Sequence, residues 1–176
     1  MVKSLHCRIA LTLIFGCLLF GKSAVARETW TAWPTVGQAE FTWLWFDVYQ
    51  STLRTPDGHF HGLSSDLTLE IRYQRQISAA QLLDATEKQW VAMGYSEESI
   101  NNWLASLSQL FPTVSVDDTL YFVLLRDHGS LYFSQQGQSP QLIGDVHDID
   151  LCHAFLSIWL GVKTQYPNLR KQLIGE

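Results

Sequence analysis

The chain has 176 residues, 12 of them basic and 17 acidic, for a formal charge of −5 and a mean hydropathy of +0.01. That balance excludes the basic footprint by which proteins hold nucleic acid or an anionic membrane surface. Beyond the N-terminal leader no apolar stretch is long enough to span a bilayer, and what remains has the size of one domain.

The first 26 residues read as a secretory signal peptide. Lys3 and Arg8 form its basic start, Ile9 to Gly21 its short apolar core, and Ala24 and Ala26 the small residues of an A-x-A cleavage site. A lipoprotein signal on Cys17 fits poorly, because bulky Phe15 stands where a small residue is expected, and an uncleaved anchor is the remaining alternative. Cleavage after Ala26 leaves residues 27–176 as a single domain in a periplasmic or secreted setting. It removes three basic residues (Lys3, Arg8, Lys22) and no acid, which moves the charge from −5 to −8. Cys7 and Cys17 leave too, so Cys152 has no partner for an internal disulfide, and burial must hold the fold. Seven tryptophans supply much of that burial.

Strand signals come first. "EFTWLWFDVYQSTLR" (Glu40–Arg54), rich in aromatic and β-branched residues, reads as strand and ends at the turn "TPDG". "LTLEIRYQR" alternates, with Leu67, Leu69, Ile71 and Tyr73 on one face and Thr68, Glu70, Arg72 and Gln74 on a wetter one. Two helices follow. The first opens on Ser78 and Gln81 at capping-box spacing and closes on Gly94. The second is capped by Ser96, carries Ile100, Trp103, Leu104, Leu107, Leu110 and Phe111 on one stripe, and stops at Pro112. "TLYFVLLR" (Thr119–Arg126) is apolar on both faces, which predicts a central strand. "DHG" leads into a hairpin with "SLYFSQQG", and "PQLIGDV" is a short last strand. A third helix from Asp148 to Gly161 turns Leu151, Phe155, Ile158 and Trp159 inward, and a terminal helical turn starts near Pro167. Strands, a helical pair, more strands and a last helix predict an α+β domain, an antiparallel sheet with its helices gathered on one face.

The stretches "VGQAEFTWLWFDVYQSTLRTPDG", "LTLEIRYQRQIS", "LFPTVSVDDTL", "LIGD" and "AFLSIWLGVKTQYPNLRKQL" resemble, in wording and order, the chalcone isomerase-like family, especially its bacterial secreted members. The resemblance implies an open-faced sandwich with helices packed on one face of the sheet and a cleft between the two layers. Enzymes of that family, found in plants, close a chalcone into a flavanone. They use an early-strand arginine, a strand threonine, a tyrosine and an asparagine on the first helix, and a late-helix serine or threonine. The matching positions here are Arg27, Leu44, Ser78, Ala85, and Cys152 or His153. Most of the polar groups are replaced, so the resemblance points away from plant-type isomerase activity. Non-enzymatic members of the fold bind fatty acids or assist partner enzymes, which makes a hydrophobic or carboxylate-bearing small molecule in the sheet–helix cleft the expected ligand. An isomerase with altered residues and an envelope interaction protein are the alternatives.

Candidates to line that cleft are Trp45, Asp47, Tyr49, Arg72 and His153. Regular alternation places Asp47 on one strand face with Trp43, Trp45 and Tyr49. A carboxylate among aromatics can act as acid or base. It can equally be a structural acceptor near Arg54 or Arg72, and we adopt that reading because no second catalytic group lies nearby. Arg72 and Tyr73 fall on opposite faces of their strand. His59 and His61 lack a third ligand, and Cys152 and His153, adjacent on a helix, point about 100° apart. With no G-x-S-x-G, phosphate loop or H-E-x-x-H motif, neither metal nor cofactor is expected.

Overall fold

The structure, a computed structural model, describes residues 29–43, 46–126 and 128–176. The leader, Arg27, Leu44, Trp45 and Asp127 lie outside the described residues. Six antiparallel strands form one sheet in chain order: β1 (Thr35–Trp43), β2 (Phe46–Arg54), β3 (Leu67–Tyr73), β4 (Thr119–Leu125), β5 (His128–Ser134) and β6 (Gln141–Val146). Helices α1 (Ala79–Met93) and α2 (Glu97–Leu107) are inserted between β3 and β4, and α3 (Ile149–Leu160) and α4 (Pro167–Ile174) follow β6. No helix among the described residues is long and apolar enough to cross a membrane.

One face of the sheet carries the core. Leu67, Leu69, Ile71 and Tyr73 of β3 stand beside Leu120, Phe122 and Leu124 of β4, all buried against the helices. The opposite face is drier than the alternation of β3 suggests. Trp30, in a 3-10 turn over Thr29–Ala32, lies against Tyr121 and Tyr132 with ring centroids 5.1 and 4.9 Å away. Thr68 and Val123, paired across the strands on that face, are fully buried. Water reaches that face at Arg72, which donates to Asp117 at 2.6 Å, and beside the half-buried Arg54–Glu70 pair at 3.5 Å. Central β4, covered on both sides, matches its two-faced apolar sequence.

The helix ends follow their side chains. Ser78 and Gln81 close a reciprocal capping box on α1, and Gly94 ends it in a left-handed conformation with φ 84°. Ser96 caps α2, and Asp148 caps α3 by accepting from the N–H groups of Asp150 and Leu151. Trp103 of α2 donates its indole N–H to the other oxygen of Asp148 at 3.1 Å, tying α2 to the start of α3. The α2 stripe extends past the helix itself: α2 ends at Leu107, and a turn carries Phe111 into the core before Pro112.

Two differences arise in the first strand segment. "EFTWLWFDVYQSTLR" is two strands, since β1 ends at Trp43 and β2 begins at Phe46, pairing back antiparallel. An aromatic run continuous from one strand into the next carries no period that marks the reversal. The β1–β2 register then slips by one, with Phe41 opposite Tyr49 but Thr42 opposite Asp47, which leaves Val48 as a β-bulge. Beyond the bulge the alternation of β2 is inverted. Asp47 therefore leaves the face of Tyr49 and accepts from the Thr42 hydroxyl at 3.2 Å on the exposed side.

The C-terminal helix closes the open flank of the sheet by packing on β1. Gly37 permits this, because a Cβ there would run into the carbonyl oxygens of Gln172 and Leu173 in α4. Gly37→Ala should therefore destabilise the protein by about 1–3 kcal/mol in urea unfolding, the usual range for overpacking. A loss below about 0.5 kcal/mol, the scale of neutral surface changes, would mean that α4 is not seated there.

Candidate functional site

Between the inner face of β1–β4 and helices α1 and α3 lies a cavity of about 150 Å³. The sheet contributes Phe41, Val48, Tyr49, Ile71, Tyr73 and Leu120, and α3 contributes Phe155, Ile158 and Trp159. The α1 wall is unlike a usual core stripe. Gln81, Leu82, Ala85, Thr86 and Gln89 recur at helical spacing, and all but Leu82 are small or polar, which leaves space where large aliphatic side chains would fill it. None of the described lining residues is an acid, a base or a histidine.

The polar groups of the lining are neutral and largely occupied by one another. The indole N–H of Trp159 donates to the Tyr49 hydroxyl at 3.0 Å, joining α3 to β2. Gln89 donates from Nε2 to the Tyr166 hydroxyl at 3.2 Å, and its Oε1 is enclosed without a partner among the described residues. The Thr86 hydroxyl turns back to the carbonyl of Leu82 at 2.8 Å. The rings order one another as well. Phe41 stacks on Tyr49 at 5.1 Å and meets Tyr166 edge-on at 4.8 Å. Burial pushes the Tyr49 phenol far above its ordinary range, opposed only in part by the Trp159 N–H, and burial does the same to Tyr73. Such a lining has the shape and polarity to suit an apolar body, and its described residues include no carboxylate, amine, guanidinium or imidazole for proton transfer.

The five residues singled out from the sequence are scattered. Tyr49 lines the cavity. Asp47 is exposed on the other face, beside Phe46, Gln74 and Arg75, and is paired with neither Arg54 nor Arg72 as the sequence suggested. Arg72 lies on that outer face too, bound to Asp117. His153 sits on α3 outside the cavity lining, with its Nε2 buried and without a partner among the described residues. Trp45 lies outside the described residues.

Of the positions matched to the plant enzymes, Ser78 is spent on capping α1, whereas Ala85 does line the cavity, with a methyl group where the resemblance implies an amide. Cys152 is fully buried beneath α3. It meets the carbonyl of Val146 at 3.4 Å, and burial pushes its thiol up to about 11. Phe41, Gln81, Gln89 and Tyr166 were not among the cleft candidates drawn from the sequence, where Gln81 was read as a capping residue alone. The available signal was the weakly apolar inward stripe of α1.

No protein-family model matches the chain. A relative from Haemophilus influenzae, described as an uncharacterized protein, is 28% identical over 146 residues, which is 82% of this chain and 69% of the relative. Among solved structures, the crystal structure of the Arabidopsis thaliana fatty-acid binding protein AtFAP1 matches with a TM-score of 0.56 at 13% identity, over 80% of this chain and 85% of that one. The likeness establishes the fold as the chalcone isomerase-like open-faced sandwich, an antiparallel sheet with its helices packed on it.

The two buried phenols give the protein a defined alkaline limit. Unfolded tyrosines ionise near pH ~10. Folded Tyr49 and Tyr73 keep their protons to higher pH. Above about pH 10 the folded state thus binds more protons than the unfolded state, and stability falls as pH rises; below that these groups contribute no slope. Denaturant titrations from pH 8 to 11 should show that fall, and Tyr49→Phe should make it shallower. Phenolate absorbance from all tyrosines appearing at pH ~10 while the fold persists would contradict this burial.

Proposed function

We propose that the chain is a secreted, non-catalytic binding protein of the chalcone isomerase-like type, one of its bacterial secreted members, and that it takes up one hydrophobic small molecule in the cavity between the sheet and helices α1 and α3. The observation that carries this reading is the cavity itself. It is a largely apolar space, open to solvent beside Gln81 and Ala85 of α1 and lined by neutral polar groups that mostly pair with one another, in a molecule whose core is otherwise continuous. AtFAP1, with the same fold, is by its description a fatty-acid binding protein, and that precedent supports the placement of a ligand here. The replaced or diverted polar positions, Ala85 and Ser78 among them, support a binding role over ring-closure chemistry, which needs donors aimed at a developing oxyanion.

Ile158 lines the cavity, so Ile158→Trp should fill it from α3. Native mass spectrometry of the wild-type protein should reveal an apolar molecule that copurifies, and Ile158→Trp should lose it while keeping the same far-ultraviolet circular dichroism. Equal retention by a folded Ile158→Trp protein would move the ligand elsewhere or remove it from the account. The secreted setting rests on the leader alone and has its own check. The N-terminus of protein recovered from the envelope or medium should be Arg27, and a chain that still begins at Met1 would count against cleavage after Ala26.

A further inference from the structure

One polar group in the cavity wall is unlike the others. Tyr73 ends β3 on the inner face of the sheet, and only 4% of its surface is exposed. Its side chain lines the cavity beside Tyr49, with ring centroids 6.4 Å apart. Its backbone is fully occupied: the N–H donates to the carbonyl of Asp118 at 2.9 Å, and the carbonyl accepts from Asp117 at 2.8 Å. The hydroxyl is not. No described residue donates to it or accepts from it, and burial alone pushes the phenol up.

The remaining polar groups of the lining are used in building it. Trp159 donates to Tyr49, Gln89 to Tyr166, and Thr86 to the carbonyl of Leu82. Gln81 accepts from the N–H of Ser78 in the capping box. Gln89 Oε1 is unpaired too, but it is sealed among protein atoms, whereas the Tyr73 oxygen is not. A hydroxyl set in an apolar wall without a partner costs free energy. An acceptor brought in by a guest recovers it. Size and access agree with such a guest. About 150 Å³ is the volume at which an apolar cavity accepts a benzene-sized molecule. Gln81 and Ala85 are the exposed members of the lining, so a guest enters beside them without parting the aromatic walls.

Resting on the binding role proposed above, we infer that the ligand is a small apolar molecule carrying a hydrogen-bond acceptor, in its simplest form a carbonyl oxygen, and that the Tyr73 hydroxyl donates to it. Tyr73 is a specificity-determining residue. The apolar walls hold the body of the guest, and the phenol selects among bodies of equal shape by whether they bring an acceptor. Burial keeps its proton in place well above neutral pH.

Cyclohexanone and methylenecyclohexane have one shape and differ by an oxygen against a methylene, so the ratio of their affinities reads the hydrogen bond. In isothermal titration that ratio should fall about ten-fold from wild type to Tyr73→Phe, with the hydrocarbon bound no more weakly than before. Thr86→Val removes a lining hydroxyl already bonded within its own helix, and should leave the ratio within about two-fold of wild type. Tyr73→Phe should unfold at the same urea concentration as wild type or a higher one, since no bond within the protein is lost. An unchanged ratio in Tyr73→Phe, or an equal fall in Thr86→Val, overturns the assigned donor. So does a lowered urea midpoint in Tyr73→Phe, which would give the hydroxyl a partner in the protein. These outcomes leave cavity binding intact where Ile158→Trp loses both guests. Failure of wild-type protein to bind either guest, with Ile158→Trp indistinguishable from it, would instead overturn the cavity reading and the role of Tyr73 with it.

Discussion

The path of α3 across the sheet is the constraint on which the rest of the structure depends. At its first turn the helix lies close over the sheet at Gly129. A Cβ added at Gly129 of β5 would meet Cys152 Sγ at 2.9 Å and Phe122 Cζ at 2.6 Å. Two turns later the same helix reaches β2 through two full aromatic side chains joined tip to tip, Trp159 donating to Tyr49. A helix seated on a glycine at one end and on a tryptophan–tyrosine pair at the other leaves a gap beneath its second half. Close packing would normally fill such a gap from the neighbouring helix. The inward face of α1 does not fill it, because Ala85, Thr86 and the two glutamines stand there. Trp90 meanwhile pins α1 to α3 by donating to the carbonyl of Ala154 at 2.9 Å, so the two helices do not slide together and close the space.

The bulge at Val48 does the corresponding work on the sheet. By inserting one residue it presents both Val48 and Tyr49 to the cavity, which a regular strand does not do, and it turns Asp47 to water. A charged group next in line with Tyr49 would otherwise stand against the same rings as Phe41, at a large desolvation cost. The bulge resolves the conflict between an aromatic strand and its lone acid, and the ligation of Asp47 is reduced to a hydroxyl on the neighbouring strand.

These two features mark the limit of what the sequence makes legible. Period and punctuation carried the elements well. The alternation in Leu67 to Tyr73, the Ser78–Gln81 box, Gly94, Asp148 and Pro167 each fix a local conformation by local chemistry, and each stands where its neighbours imply. The reversal of direction between β1 and β2 was illegible because no glycine, proline or asparagine stands in "WLWF" to mark it. The bulge was illegible because register is a property of two strands, whereas a face assignment from one strand assumes it. Asp47 was misplaced by that assumption alone. The cavity was hidden for a related reason. Ile71, Tyr73, Phe155, Ile158 and Trp159 of its walls were recognisable as inward-facing, but an empty volume arises from the difference between what four elements surround and what their side chains fill. Trp30 is the reverse case, a side chain whose role as cover for the outer face of β3–β5 depends on where a short N-terminal turn happens to lie.

The same geometry is the reason binding rather than chemistry is proposed at the cavity. An active site needs at least one group whose hydrogen-bonding capacity is reserved for the reacting molecule and whose charge changes near the working pH. Here the indole of Trp159 is committed to Tyr49 and the amide N–H of Gln89 to Tyr166, and each bond spans two elements that enclose the space. Withdrawing either donor to serve a substrate would loosen the enclosure that makes the site apolar. Burial, meanwhile, holds the phenols of Tyr49 and Tyr73 in their neutral form. Hydrogen bonds that in a catalytic cleft would point at a ligand here join the walls to one another, which favours the proposed binding by shape.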